Sequence, residues 1–484
     1  MNARALEVAV IGSGPAGLYT AEALIKQSAA LDPPASVRVD VIDRLVTPYG
    51  LVRYGVAPDH PSIKSIAEYL RNVLEHQDVR FLGGVHLGED VTREDLLASY
   101  DAVVYATGAM RDRRMGIPGE DLPGSYAATD FVNWYCGHPD VSMDAFALDA
   151  ESVAVIGVGN VAVDVARILV RDPAELRPTD VPQPVLEALE ASKVRDVHVI
   201  GRRGPAQAKF TTKELRELGE LSGVDILVDP AEIDSGPFDL AGQSAQLAES
   251  DRRVRGNLAV IGGWAGRAPA GDVRRLTVRF WLRPVKVEGT ERVSGLTVER
   301  TRLDEAGQLI GTGELETVPV QMVLRSVGYQ SVPLPGVPFD ERTATVPNSE
   351  GRVLGPDGAP LPGEYVAGWL KRGPTGVIGT NKSDAAGSVR SLLSDLAGGG
   401  AGARKPAVRP GDTVQPGDTM QPGDSGRRAL EDLLAARGVA PVSYSDWLRV
   451  ERAEVALGGQ LGRGARVKLP SRGALERICR PPAS

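Results

Sequence analysis

One pattern constrains this chain more than any other, and it occurs twice: a short apolar strand, a glycine turn, a helix and a second strand. In the first copy residues 6–11 are an apolar run that meets Gly12; a helical stretch follows to about residue 30, and a strand covers 37–43. Residues 101–106 add a strand that stops at Thr107 and Gly108. In the second copy residues 153–156 enter Gly157, a helix runs to about residue 171, residues 194–200 form the next strand, and 322–327 end at Gly328. The closing strands VVYATGA and VLRSVGY occupy equivalent places, which reinforces two units in series. A chain of 484 residues is also too long for one ordinary core. The expectation is an α/β fold with two Rossmann-like dinucleotide-binding domains.

The two turns ask for different nucleotides. Gly12, Gly14 and Gly17, with Ala16 inside the turn, form G-x-G-x-x-G directly after a strand. The first glycine permits the tight turn, the second lets backbone approach a pyrophosphate, and the third lets helix pack close to strand. Asp43 ends the second strand, where an acid accepts from a ribose hydroxyl; this suits FAD or NAD and repels the 2'-phosphate of NADP. The second unit carries Gly157, Gly159 and Ala162, the G-x-G-x-x-A variant, and its second strand ends in Gly201, Arg202 and Arg203. Two guanidiniums in place of the acid are what a 2'-phosphate needs; the bland alternative is a solvated pair at a loop tip. FAD is therefore expected on the first unit and NADPH on the second.

Composition narrows the chemistry. Cys136 and Cys479 are the only cysteines and lie far apart in sequence, so neither a disulfide framework nor a thiolate-held cluster is expected, and no metal site is expected either. Redox chemistry must then come from an organic cofactor or a partner. A net charge of -8 argues against a general nucleic-acid binder. No run of about 18 apolar residues occurs to span a bilayer, and the first strand begins too early for a targeting peptide, so a cytoplasmic protein is expected. Residues 207–320 supply helix and strand material whose order the pattern does not resolve. Residues 398–426 contain RPGDTV, QPGDTM and QPGDSG and read as a disordered insertion. Beyond it Ser445 and Asp446 are placed to cap a helix carrying Trp447.

Several longer segments carry a more specific signal: PYGLVRYGVAPDHP from Pro48, IPGEDLPGS from Ile117, GVGNVAVDVARIL from Gly157, GRRGPAQAKFTTKELREL from Gly201 and AGWLKRGPTGVIGTNKSDA from Ala367. Together they resemble the adrenodoxin-reductase type of ferredoxin-NADP reductases, and the bacterial members without a fused ferredoxin domain in particular. The likeness spans most of residues 5–395; the PGD repeats depart from it, as does Val158, where related enzymes often carry a polar residue. It implies a discontinuous FAD domain (1–109, 331–397 and 427–484) with the NADP domain (110–330) inserted. It further implies that FAD is held by the first glycine turn, Asp43, Leu51, Val85, Trp369 and the run Gly376, Val377, Ile378, and that NADPH is held by Arg113, Val158, Gly159, Asn160, Val161, Arg202, Arg203, Glu214 and Gly376. The amides that open the helix after Gly379 would then face reduced flavin.

Three side chains have two readings each. Thr211 and Glu214 have capping-box spacing, so Glu214 either stabilises its helix or faces the cofactor. Glu217, one turn on, is placed to reach a nicotinamide carboxamide or an imidazole. His60, between Asp59 and Pro61, is by spacing an ordinary loop histidine, whereas the resemblance implies a place near flavin and nicotinamide. The implied activity is hydride transfer from NADPH to FAD, then single electrons to a small acidic ferredoxin. Arg111, Arg113 and Arg114, or Arg252, Arg253 and Arg255, are candidate docking charge or simply solvated surface. The rivals are a disulfide reductase, which needs a cysteine pair this chain lacks, a flavin oxidase or monooxygenase, and a nucleotide-binding redox sensor.

Overall fold

A computed structural model of the chain describes residues 4–234, 236–271, 273–398 and 425–480. The insertion expected at 398–426 lies, but for its ends, outside the described residues.

Two mostly parallel sheets organise the molecule. The first has seven strands in the order Asn348–Ser349, Arg352–Leu354, Pro360–Val366, Ala102–Tyr105, Leu6–Ile11, Val37–Asp43 and Val79–Gly83. Its five-strand core is parallel, and the two short strands at one edge are antiparallel. The second has six strands, all parallel, in the order Ser125–Ala127, Met322–Arg325, Ser152–Ile156, Asp196–Ile200, Arg274–Arg279 and Val224–Val228. Sequence-distant strands thus share the first sheet, while the second is built wholly from residues 125–325.

The unbroken apolar strands follow from burial on both faces. In Leu6–Ile11, Val8 and Val10 enter one hydrophobic cluster while Ala9 and Ile11 enter another across the sheet. In Ser152–Ile156, Val153 and Val155 face one cluster, and Ala154 and Ile156 the other. What covers that last face explains why residues 207–320 resisted reading. Leu282–Gly289, Val293–Leu303 and Leu309–Val318 form a separate antiparallel sheet, and Val287, Leu296, Val298 and Val318 from it pack against Ala154 and Ile156.

Beyond the second sheet the chain returns to the first: the helix Thr380–Gly398 packs on the helix Pro15–Ala29. The helix Tyr444–Gln460 carries Trp447, as expected, and buries it, but its cap is Ser443 rather than Ser445. Ser443 Oγ accepts from the Asp446 amide while Asp446 reaches back to the Ser443 amide, a reciprocal box that needs a spacing of three. Ser445 lies too close to Asp446 to close it.

Candidate active site

Both glycine turns sit where a parallel strand hands over to a helix, and the helix that follows each begins at a glycine cap with no side-chain bond, Gly14 for Pro15–Ala29 and Gly159 for Asn160–Val170. Side chains normally serve such amides, so two bare N-termini at the carboxyl ends of two sheets are anion cradles in waiting. Their glycines differ in purpose. A Cβ on Gly17 would lie 1.8 Å from Gly12 O, so helix and turn touch there; Gly12 itself holds φ +110°. A Cβ on Gly14 meets only Gly50 Cα at 3.9 Å, and one on Gly159 meets nothing within 4 Å. The middle glycine of each turn therefore leaves room for a ligand, which is the fit a dinucleotide diphosphate requires.

Around the first turn, Asp43 Oδ2 accepts from the Ser13 amide (2.7 Å) and hydroxyl (2.6 Å), and Oδ1 accepts from the Leu45 amide (2.9 Å). The carboxylate is thus oriented by the turn itself. Leu51 begins a short helix beside it, since the Tyr49 amide bonds Ser13 O and Gly50 closes on Gly14. Val85 is a core residue, 1% exposed, and only its backbone, through the amide bonded to Asp43 O, adjoins the turn. From the far end of the chain, Gly368 closes against Ala16, where a Cβ would lie 2.4 Å from the Ala16 Cβ. Trp369 follows, stacked on Tyr329 with ring centroids 5.6 Å apart and its Nε1 donating to Thr375 O. Gly376 adopts φ +81°; Val377 is 66% exposed and Ile378 half-buried, on the loop that opens Thr380–Gly398. The amides of that opening are partly committed, because Val377 N donates to Thr380 Oγ1.

Around the second turn, Val158 packs beneath Gly201 and Val161 is half-buried, while Asn160 Oδ1 accepts from the Thr211 amide. Ile156 and Ile200 are paired on adjacent strands, so Arg202 and Arg203 emerge beside the glycine turn. Both are exposed and neither joins an ion pair among the described residues. Arg113 is exposed as well, its amide donating to Gly328 O at the end of the sheet.

His60 meets the second unit at the helix that follows the second turn and at the helix Thr212–Gly219. Its Nε2 lies 3.0 Å from Asp164 Oδ1 and 3.2 Å from Glu214 Oε2, and its Nδ1 lies 3.8 Å from Glu217 Oε2. The capping-box reading of Glu214 is half right: Thr211 Oγ1 accepts from the Glu214 amide, but the Glu214 carboxylate turns to His60 instead of back to the cap. Burial lowers the proton affinity of His60 and the Arg167 charge opposes it too, but the hydrogen bonds to Asp164 and Glu214 outweigh both, so its pKa is raised to about 9. Burial raises the Glu214 pKa, yet His60 and Arg167 pull it below the usual carboxylate range.

Asp59, Asp164 and Arg167 were not singled out in the sequence. A signal was there: in the apolar helix NVAVDVARILV, Asn160, Asp164 and Arg167 are the polar residues at spacings of four and three, one stripe on one face. Of the arginine clusters, Arg114 pairs with Asp121, Arg253 bonds Asp251 and the Ala208 and Phe210 carbonyls, and Arg255 bonds the Ala248 and Glu249 carbonyls. No helix among the described residues is long and apolar enough to cross a membrane.

Comparison with known proteins agrees with this geometry. Residues 6–228 match the family described as pyridine nucleotide-disulphide oxidoreductase. The chain is similar to the NADPH-ferredoxin reductase FprA of Mycobacterium tuberculosis, 43% identical over 475 residues that cover 97% of this chain and 98% of that one. It is similar also to the mitochondrial NADPH:adrenodoxin oxidoreductase of Arabidopsis thaliana, 38% identical over 94% of this chain and 92% of that one. Among solved structures, FprA from Mycobacterium tuberculosis in complex with NADPH superposes with a TM-score of 0.88 at 42% identity, covering 98% of this chain and all of that one.

Proposed function

The chain belongs to the adrenodoxin-reductase type of NADPH-ferredoxin reductases, and from that premise we propose that the two bare glycine cradles divide the labour of one electron path, FAD on the first and NADPH on the second. FAD, when bound, supplies the chemistry of taking a hydride from NADPH and releasing electrons one at a time. The protein's part is to bind, orient and exclude water. The amides after Gly14 and Gly159 hold the two diphosphates, Asp43 accepts from the FAD ribose, and Arg202 with Arg203 clamps the 2'-phosphate that distinguishes NADPH from NADH. Leu51, Trp369 and the 376–378 loop wall the flavin, with the backbone at Val85 behind the ribose. Arg113, Val158, Asn160 and Val161 line the nicotinamide nucleotide. His60, Glu214 and Glu217 stand at the nicotinamide, where His60 holds or releases a proton at its ring nitrogens and the two carboxylates offset positive charge.

The partner class is a ferredoxin, a small acidic iron-sulfur protein, met by exposed arginines such as Arg111, Arg113 and Arg252, and the setting is the cytoplasm. The observation that carries the reading is the pair of uncapped helix N-termini with unlike second-strand ends, Asp43 against Arg202 and Arg203. Anaerobic titration of the yellow protein with NADPH should bleach the flavin, and adding ferredoxin with cytochrome c as reporter should restore turnover. Bleaching that yields no transfer to any ferredoxin but consumes oxygen once air is admitted would favour the flavin oxidase, and no bleaching at all would favour a redox sensor.

A further inference from the structure

The segment that carries His60 lies in the first stretch of the chain, yet a side chain of the second unit grips it. Arg167, on the helix Asn160–Val170, donates to Asp59 through Nε (2.6 Å) and Nη2 (2.9 Å), with its side chain only 1% exposed. The same Nη2 lies 2.8 Å from Asp164 Oδ1 and 2.6 Å from His60 Nε2. Its Nη1 is buried without a hydrogen bond among the described residues and lies 3.7 Å from Glu214 Oε2, the oxygen that also faces His60 Nε2 at 3.2 Å. An arginine kept only to join two units needs its fork on Asp59 and nothing more. This one is drawn across to the imidazole as well, and its remaining nitrogen, itself without a hydrogen bond, faces the carboxylate that His60 engages, a seat of the kind found where structure serves chemistry.

The charges facing His60 can be counted from each element packed against it. Its own segment brings Asp59; the helix Asn160–Val170 brings Asp164 and Arg167, with Arg171 just beyond, 3.3 Å from Asp59; the helix Thr212–Gly219 brings Glu214 and Glu217, and Lys213 pairs with the outer side of Glu217. Four carboxylates thus oppose the guanidiniums of Arg167 and Arg171. Left to the acids, the imidazole would hold its proton more tightly still. A cation in contact with Nε2 works against that.

We propose that Arg167 is a positioning residue for hydride transfer, fixing His60 against the second unit and balancing the acids at Nε2 so that the imidazole can both hold and release its proton. This rests on the reading of His60 as a nicotinamide-side group. The pKa of about 9 already reflects the brake, since burial and Arg167 lower it while Asp164 and Glu214 raise it.

The test follows His60 directly in the FAD-loaded protein. The chain has 5 histidines, so ring-labelled histidine gives few signals, and the one lost in His60→Gln identifies itself. In Arg167→Gln the His60 midpoint should rise by about one pH unit or more, a tenfold gain in proton affinity. Arg167→Lys keeps a charge but cannot span Asp59, Asp164 and His60 together, and its midpoint should lie between. The alkaline limb of NADPH-driven flavin reduction should move by the same amount, which a merely structural arginine would not cause. Midpoints unchanged to within roughly 0.2 unit in both variants overturn the proposal. Should Arg167→Gln fail to accumulate as yellow protein, Arg167→Lys decides by the same criterion. The underlying reading is checked apart: NADP+ added to the wild type must shift the His60 signal. Silence there removes His60 from the nicotinamide and the proposal with it, whereas a shift with unmoved midpoints removes only Arg167.

Discussion

Arg202 and Arg203 share one job in this reading, and the size of that job is calculable. Each charge-assisted contact to a 2'-phosphate contributes about 1.5 to 3 kcal/mol, roughly tenfold to a hundredfold in affinity. Replacing both with neutral residues should raise KM for NADPH by at least about a hundredfold while KM for NADH and kcat change little, because the lost energy lies remote from the hydride. Equal loss with both nucleotides would make the pair structural. His60 gives a prediction of a different kind. Its pKa in the folded chain is raised from 6.5 to about 9, so its stabilising contribution is complete below pH 6.5 and is lost as pH rises through 9. Denaturant unfolding of the wild type should therefore weaken across that window more steeply than that of His60→Gln; parallel curves would show that the imidazole is not so held. The Arg pair was legible because the sequence places it by counting from a strand. The grip on His60 was not: Asp164 and Arg167 lie 104 and 107 residues away, and only the packing of one unit on the other brings them together.

At the scale of elements, the third and the middle glycine of these turns should respond oppositely to one added methyl. A Cβ on Gly17 would sit 1.8 Å from Gly12 O, a backbone atom that cannot yield without moving the strand Leu6–Ile11. Gly17→Ala should cost more than about 3 kcal/mol and strip the protein of FAD. Gly159→Ala meets no protein atom within 4 Å, and alanine is content in the extended backbone there, φ -117°. That variant should fold and stay yellow, yet bind NADPH at least about tenfold more weakly, the methyl intruding where the diphosphate approaches. Flavin content and a 2',5'-ADP binding isotherm separate the cases; a Gly159→Ala protein with unaltered affinity would mean that the second turn carries no phosphate. Strand, turn and helix were readable because each is local and the apolar runs are unbroken. The sheet of residues 282–318 was not, because an antiparallel cover stands where repetition of the first unit suggests helix, and its pairing depends on the face of Ala154 and Ile156 beneath it.

On the scale of the whole molecule, the C-terminal stretch ties the rest together, a role that residues 427–484, read as a capped helix and a last part of the FAD domain, did not disclose. Arg463 donates to the Arg177 and Thr179 carbonyls, and Lys468 Nζ to the Arg53 and Cys136 carbonyls, while Asp180 accepts from Lys64 through both oxygens at 2.7 Å. At the centre, Arg53 and Glu454 form a forked pair 401 residues apart in sequence, both buried, with the guanidinium 4.8 Å from the Trp447 ring centre. Burial works against the Arg53 charge, but Glu454 more than restores it and holds the pKa above its usual value. Such a pair is worth little against well-packed apolar residues but much against a broken half, since removing one partner strands the other charge. Glu454→Gln should therefore cost about 3 to 5 kcal/mol in denaturant unfolding, whereas Arg53→Met combined with Glu454→Met should recover most of it. Because Arg53 lies two residues beyond Leu51, in the short helix Leu51–Tyr54, flavin release should move to lower temperature together with global unfolding in the single variant. A loss below about 1 kcal/mol, or flavin release unchanged, would mean that Arg53 finds another partner and that the helix Tyr444–Gln460 is fastened by its apolar face alone.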